Sequence, residues 1–395
     1  MSITEKKSQD KKTILYTVMY MVMGFSSMYY TSMYKMFDWP EWIFAHIPQA
    51  IFYTLGLYKI FILDKHSKSE LAVIIIFAVI NIITLLVTDL QVAFLFFFFV
   101  IFAAKDVDYS VFLKTYFAFI LSLFLFNLVS SLVGIIPNLN FDGRMCFGIG
   151  YPTDFGAYVF YFFLTYSYLS KKHGILYTII GVSLASFILY FSRARLDCGM
   201  ILITVLCFVI NEHANNLFEN KVIKTVLILS PFILMGITAA LALCYNPDKS
   251  ILVKLDNLLS GRIYLMNKAY REYSVPVFGQ VLPVNGRGWS PTSFEGEYFF
   301  LDNYYSFSLY RFGIVHFIAL WSIVSLSICY GYKINDIKMV LVFLMLAGTS
   351  FIDHHIIELC YNAFFVFSGI SVFALFDIID KNMSGVKSEI PEEMS

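Results

Sequence analysis

The sequence predicts an all-α fold: a polytopic integral membrane helical bundle of about twelve transmembrane helices with one long extracytoplasmic loop. Three observations carry that expectation. The 395 residues are 59% hydrophobic and only 14% charged, with a mean hydropathy of +0.72, far from the balance of a soluble globular domain. Apolar runs of helix length recur from end to end. Lysines fall between alternate runs, as they do in cytoplasmic loops.

Residues 1–12 are polar and lysine-rich and read as a cytoplasmic tail. The first apolar run then reads as a signal anchor, not a cleavable signal peptide. Helices are expected over 13–34, 43–63, 71–88, 90–104, 111–136, 153–170, 175–191, 198–211, 224–245, 304–332, 339–353 and 356–376. Those at 90–104, 198–211 and 339–353 are short, and each joins a neighbour through a tight polar turn. Residues 13–376 form one transmembrane unit, and 377–395 a second cytoplasmic tail. The inner loops hold Lys65 and Lys68, Lys105, Lys171 and Lys172, Lys221 and Lys224, and Lys333 and Lys338. Each inner loop carries at least one lysine, which makes the alternation self-consistent.

The connection over 246–303 is far longer than the rest, and a long ordered loop in a compact protein is usually functional. Within it, residues 260–271 read as an amphipathic helix with Ile263, Met266 and Tyr270 on one face, lying at headgroup level. Residues 275–297 hold four glycines and three prolines and read as irregular loop.

Net charge is zero, which gives no support for nucleic-acid binding. The 42 Phe and 27 Tyr fit lipid-facing and interfacial positions and require no cofactor. The six cysteines form no CxxC and read as apolar fillers, without disulfide or zinc.

Arginine behaves differently from lysine. On this topology 17 of 21 lysines lie at the inner face, but all seven arginines lie outside: Arg144, Arg193, Arg195, Arg262, Arg271, Arg287 and Arg311. A residue that breaks the topological charge rule has another task. Guanidinium grips phosphate in a bidentate fork, as ammonium does not. The expected ligand is therefore anionic and diphosphate-bearing, at the outer face.

Four constellations surround these arginines. Arg144 stands in a short glycine-rich loop, Asp142-Gly143-Arg144, with Thr153 placed to cap the next helix. Arg193 and Arg195 occupy a hinge, Ser192-Arg193-Ala194-Arg195-Leu196-Asp197, where Asp197 is positioned to neutralise one of them. Asp302 and Asn303 stand where the long loop enters a helix, and Asp302 reads as either a cap or a base. Arg311 lies nine residues further on, about two and a half turns, on the opposite face of a straight helix. The two share a site only if Asp302 belongs to the loop and folds over the helix end. Finally, Asp353-His354-His355 precede Glu358 and Asn362, which would share a helix face. The spacing of His354, His355 and Glu358 matches no standard zinc pattern, so no metal is expected.

The order of these features resembles the Wzy-type polysaccharide polymerases of capsule and O-antigen assembly, and more broadly the O-antigen ligase superfamily. The resemblance spans nearly the whole chain. It rests on Ser192-Arg193, on Leu259-Ser260-Gly261-Arg262 leading to Phe278-Gly279-Gln280, and on Asp302-Asn303 with Gly313 ten residues after Asn303. The ligases commonly carry His where this chain has Asp302. The resemblance implies a GT-C-like membrane glycosyltransferase in the bacterial plasma membrane, with both termini cytoplasmic and an extracytoplasmic active site, needing no cofactor or metal. Donor and acceptor would be oligosaccharide repeat units on undecaprenyl diphosphate, with a flippase and a chain-length regulator as further partners. Arg193, Arg195 and Arg311 would hold the diphosphate, with Arg144 and Arg262 as secondary contacts. Asp302 would be the base, or else Glu358 or His355, with Asn303 and Asn362 among the substrate contacts. A ligase is the rival enzyme. A glycolipid or anion transporter is the rival of another class, although polar residues gathered at one face argue against it.

Overall fold

The structure, a computed structural model, describes residues 3–88, 95–214, 216–286, 297–351 and 353–383. The chain runs α1 (Ile3–Thr31), α2 (Ile47–Tyr58), α3 (Lys68–Val87), α4 (Leu95–Phe102), α5 (Tyr109–Leu132), a hairpin of β1 (Asn140–Phe141) and β2 (Arg144–Met145), then α6 (Pro152–Leu169), α7 (Ile175–Phe191), α8 (Arg195–His213), α9 (Asn216–Glu219), α10 (Lys221–Cys244), α11 (Ser250–Leu258), α12 (Arg262–Glu272), α13 (Tyr304–Lys333), α14 (Ile337–Thr349) and α15 (Phe365–Met383). Single π-type turns, Trp42–His46 and Lys59–Leu63, flank α2. The hairpin is the only paired strand element among the described residues.

Among the described residues five helices are long and apolar enough to cross a membrane: α3, α5, α8, α10 and α13. The apolar windows of α3 and α10 are only 22% buried, so isoleucines such as Ile75, Ile76 and Ile82 face outward. Apolar helices left uncovered on most of their circumference require a non-aqueous surrounding. α13 is the opposite case, 61% buried, and forms the centre of the bundle. Helix starts follow local chemistry. Ser67 and Glu70 form a reciprocal capping box on α3, while Asp108, Asn220 and Asp336 cap α5, α10 and α14.

Several expected boundaries change. Residues 3–12, expected as a tail, are helical and continuous with α1, and Lys12 is held by Asp64 at 3.0 Å and Asp106 at 2.7 Å. The expected helix at 356–376 starts later: residues 355–357 make a single 3-10 turn and α15 begins at Phe365. Of the expected helix 90–104, residues 90–94 lie outside the described residues. The expected amphipathic helix exists as α12, but its apolar face docks on protein. Ile263 and Met266 pack with Ala242 and Tyr245 at the end of α10, and Asn267 donates to the Ala242 carbonyl at 2.7 Å. Tyr270 stays exposed.

Loops assigned to the two faces form two separate clusters. Lys12, Lys59, Asp64, Lys105, Asp106 and Glu70 interlock at one, where Tyr168 also donates to Asp336 at 2.9 Å. At the other, Met33 N–H donates to the Gly148 carbonyl at 2.8 Å and Ser192 Oγ to the Met145 carbonyl at 2.8 Å.

α13 is two helices. Gly313 has φ 88° and ψ 171°, which breaks the turn there. Residues 276–280 of the long loop fill the break. Ile314 and Val315 N–H groups donate to the carbonyls of Pro276 and Val277, at 3.0 and 3.2 Å. Gln280 returns from N–H to the Arg311 carbonyl at 3.0 Å and from Nε2 to the Tyr310 carbonyl at 3.0 Å. The groups freed by the break are thereby satisfied within the protein, as a non-aqueous setting demands.

Candidate functional site

An open cavity lies among the loops of the second cluster. It encloses ≈ 710 Å³, and it leads to a narrower recess of ≈ 80 Å³. Arg144, Thr153, Asp154, Ser260, Arg262, Asp302, His354 and His355 line both. Arg193, Arg195, Asp197 and Asp353 line the recess alone. Tyr298, Phe300 and Glu358 line the outer part alone.

Each arginine arrives through a specific local device. Arg144 follows a two-residue turn in which Asp142 and Gly143 both take positive φ, 54° and 81°. That is the Asp-Gly hairpin geometry, and its backbone twist suits paired strands. The turn sets Arg144 over the Tyr151 ring, with Nη2 3.3 Å from Tyr151 Oη. Arg193 itself has φ 50°, the left-handed residue that ends α7 and starts α8. Its Nη1 donates to the Asp142 carbonyl at 3.3 Å, tying the hinge to the hairpin. The hinge packs so closely on α6 that a Cβ on Gly156 would stand 2.6 Å from Ala194 Cβ. Arg262 opens α12, after Ser260 and Gly261, both with positive φ. Asp256 caps that helix by accepting from Ile263 and Tyr264 N–H groups, at 2.8 and 3.0 Å.

Expected pairings are only partly met. Asp197 is buried, but among the described residues neither Arg193 nor Arg195 pairs with it or with any other carboxylate. Both arginine side chains are exposed in the recess. Thr153 is not a cap; Pro152 opens α6 and Thr153 lines the cavity.

Asp302 does fold over the end of α13, and it is not the cap. Asn303 holds that role, accepting from Ser306 N–H at 2.9 Å and donating to the Phe351 carbonyl at 2.8 Å. This accounts fully for Asn303, which is 1% exposed and does not line the cavity. Asp302 instead meets Arg262, Oδ2 to Nη2, at 3.3 Å. Arg311 is not brought into the site. Its guanidinium lies over the ring of Phe307, one turn back on the same half-helix, and it lines neither part of the cavity. Asn362 also stands apart. It donates to the Ile356 carbonyl at 2.6 Å and accepts from Phe364 N–H at 2.9 Å, so it holds the turn before α15 instead of sharing a face with Glu358. Arg271 ends α12 and is exposed, while Arg287 lies outside the described residues.

The 353–358 turn supplies a charged lip. Asp353 accepts from Thr349 Oγ1 at 2.9 Å and from the His355 N–H at 3.2 Å, which fixes the turn. Glu358 Oε1 faces His355 Nδ1 at 3.1 Å and His354 Nε2 at 3.4 Å. The other nitrogen of His355 faces Asp154 at 3.8 Å. Burial opposes an imidazolium at His355, but Glu358, Asp353 and Asp154 outweigh it and raise the pKa to about 10. Glu358 is held below its ordinary value: burial works against the carboxylate, and His355 overcomes it. His354 is lowered, by burial first and then by charged His355.

Residue types alone had missed Ser260, Tyr298 and Phe300. Only the Asp142-Gly143 pair carried a recognisable local signal, a hairpin that would turn Arg144 inward. No family model, curated protein or solved structure matches this chain.

Proposed function

We propose that the chain is a GT-C-like glycosyltransferase of about twelve membrane passes. In this reading it joins repeat units carried on undecaprenyl diphosphate into a polysaccharide at the outer face of the bacterial plasma membrane. One observation carries the reading. Four arginines from three separate segments converge on a single recess, and two of them, Arg193 and Arg195, have no acidic partner among the described residues. Cations gathered in one recess without neutralisation serve an anion.

The proposed chemistry uses these side chains directly. Arg193 and Arg195 hold the donor's diphosphate in the recess, with Arg144 and Arg262 at its rim. The acceptor unit enters by the outer part, against Tyr298 and Phe300. Its hydroxyl oxygen attacks the donor's anomeric carbon, and the bond from that carbon to the diphosphate oxygen breaks. The hydroxyl proton passes to Asp302, and undecaprenyl diphosphate leaves with the bonding electron pair. The arginines stabilise the negative charge as it grows on the leaving group. Asp302 suits the base because it lines both recess and outer cavity, where donor and acceptor would meet, and Arg262 orients it through one oxygen. Glu358 is engaged with two histidines and lines only the outer part.

The test is product length, with purified protein, bilayer and a defined repeat-unit lipid. A ladder of lipid-linked products supports polymerisation. Transfer of one unit to a different carrier would indicate a ligase, and vectorial movement without a new glycosidic bond a transporter.

A further inference from the structure

We propose that His354, His355 and Glu358 form a site for a divalent transition-metal ion of the zinc class, on the lip of the arginine cavity. The site does not depend on the glycosyltransferase reading, and it departs from the expectation of no metal drawn from sequence spacing. That expectation compared linear intervals with known zinc patterns. The folded turn creates a convergence that the intervals do not display.

Three donor atoms meet within 4.8 Å of one another: one nitrogen from each imidazole and a carboxylate oxygen of Glu358. The edges of a zinc tetrahedron with N and O ligands are roughly 3.3 Å, from bond lengths of about 2.0–2.1 Å. Two of the separations here are 3.1 Å (His355 Nδ1 to Glu358 Oε1) and 3.4 Å (His354 Nε2 to Glu358 Oε1). The third, between the two nitrogens, lies within the same 4.8 Å limit and must shorten when an ion binds. Two histidines and one glutamate make the donor set of zinc sites that keep one position open.

The surroundings supply what a bare cluster lacks. His355 turns its second nitrogen, Nε2, toward the Asp154 carboxylate at 3.8 Å. At that distance the contact is electrostatic and not a hydrogen bond, and a carboxylate so placed raises the basicity of the ring as a ligand. The backbone is fixed at both ends, by Asp353 accepting from His355 N–H and by Asn362 clamping the Ile356 carbonyl and Phe364 N–H. All three donors line the outer cavity, so an ion has an entry path and an open fourth position facing the cavity. The competing occupant is a proton: His355 as imidazolium, paired with Glu358. A metal ion would replace that proton and add the His354 nitrogen.

The experiment uses the full chain, purified in detergent, stripped with chelator and titrated with Co²⁺ alone, followed by displacement with Zn²⁺. The proposal expects saturable binding of one equivalent, with visible ligand-field absorption of a four-coordinate N/O site that Zn²⁺ abolishes. His354→Gln and Glu358→Gln keep shape and remove a donor, and either should abolish the one-equivalent step. Asp154→Asn should weaken it about 10–100-fold while leaving the stoichiometry unchanged. His213→Ala, on an exposed histidine of α8, should leave it unchanged. Absence of saturable binding to the wild-type chain would overturn the proposal. So would a one-equivalent step that survives both His354→Gln and Glu358→Gln at wild-type affinity.

Discussion

Among single residues, the fold separates two neighbours that the sequence left confounded. Asn303 is a cap and Asp302 is a cavity residue, so their substitutions should fail differently. Asn303→Ala removes a buried cap and should cost about 1 kcal/mol, seen as a lower melting temperature in detergent, with specific activity per folded molecule preserved. Asp302→Asn should leave the melt nearly unchanged and reduce the rate roughly 10^2–10^4-fold, as expected for loss of a general base. Normal polymer ladders from Asp302→Asn would move the base to Glu358 or His355. The arginines divide in the same way. Arg193→Lys and Arg195→Lys keep charge but lose the fork, and each should lower the rate about 10^2–10^3-fold with normal membrane insertion. Arg311→Lys, away from the cavity, should act instead through the α13 break, on stability. That the arginines stand apart from the lysines was legible from their placement along the chain. Which of them share a cavity was not. Arg311 and Arg195 have the same local signature, an arginine beside a helix break, and only the tertiary arrangement distinguishes them.

At the scale of elements, the most informative feature is the break in α13. Gly313 was visible in the sequence as a glycine ten residues after Asn303. Nothing local showed that residues 276–280, more than thirty positions earlier, would occupy the gap. A helix pattern reports its own period and not the strand of loop that plugs it. The geometry leaves no room for a side chain: a Cβ on Gly313 would stand 2.5 Å from both Gly279 N and the Val277 carbonyl oxygen, on a backbone with φ +88°. Gly313→Ala should therefore cost about 1–3 kcal/mol from backbone strain alone, with the clash in addition. The expected readout is a depressed melting temperature together with faster proteolysis of the 246–303 loop, because the plug and the break hold each other. Unchanged melting and protease resistance would mean that the loop is anchored elsewhere. The turn before α15 shows the same limit. Glu358 and Asn362 have helical spacing, but Asn362 hydrogen-bonds to the backbone on both sides and holds a turn there.

At the scale of the whole molecule, the all-helical character and the membrane-length helices were legible because composition and apolar run length are local quantities. Helix boundaries shifted where a polar segment extended a helix, as at residues 3–12, or where a side chain held a turn and the helix began late, as with Asn362 before Phe365. The arginine cavity lies among loops other than those that hold Lys12, Lys59 and Lys105. Orientation is open to a direct check. In a chain with its native cysteines replaced, single cysteines at 142 and within 246–303 should react with an impermeant reagent added to intact cells, and those at 171 and 335 should not. Labelling at 171 would invert the topology and place the cavity on the wrong side for an outer-face reaction. The proposed function turns on a recess built for a lipid diphosphate. Its most direct measurement is the affinity of the purified protein in nanodiscs for undecaprenyl diphosphate against undecaprenyl monophosphate. The diphosphate should bind at least about tenfold more tightly, roughly 1.4 kcal/mol, and that preference should be lost in Arg193→Lys with Arg195→Lys. Equal affinity for the two lipids, or a preference that survives the double substitution, would contradict it.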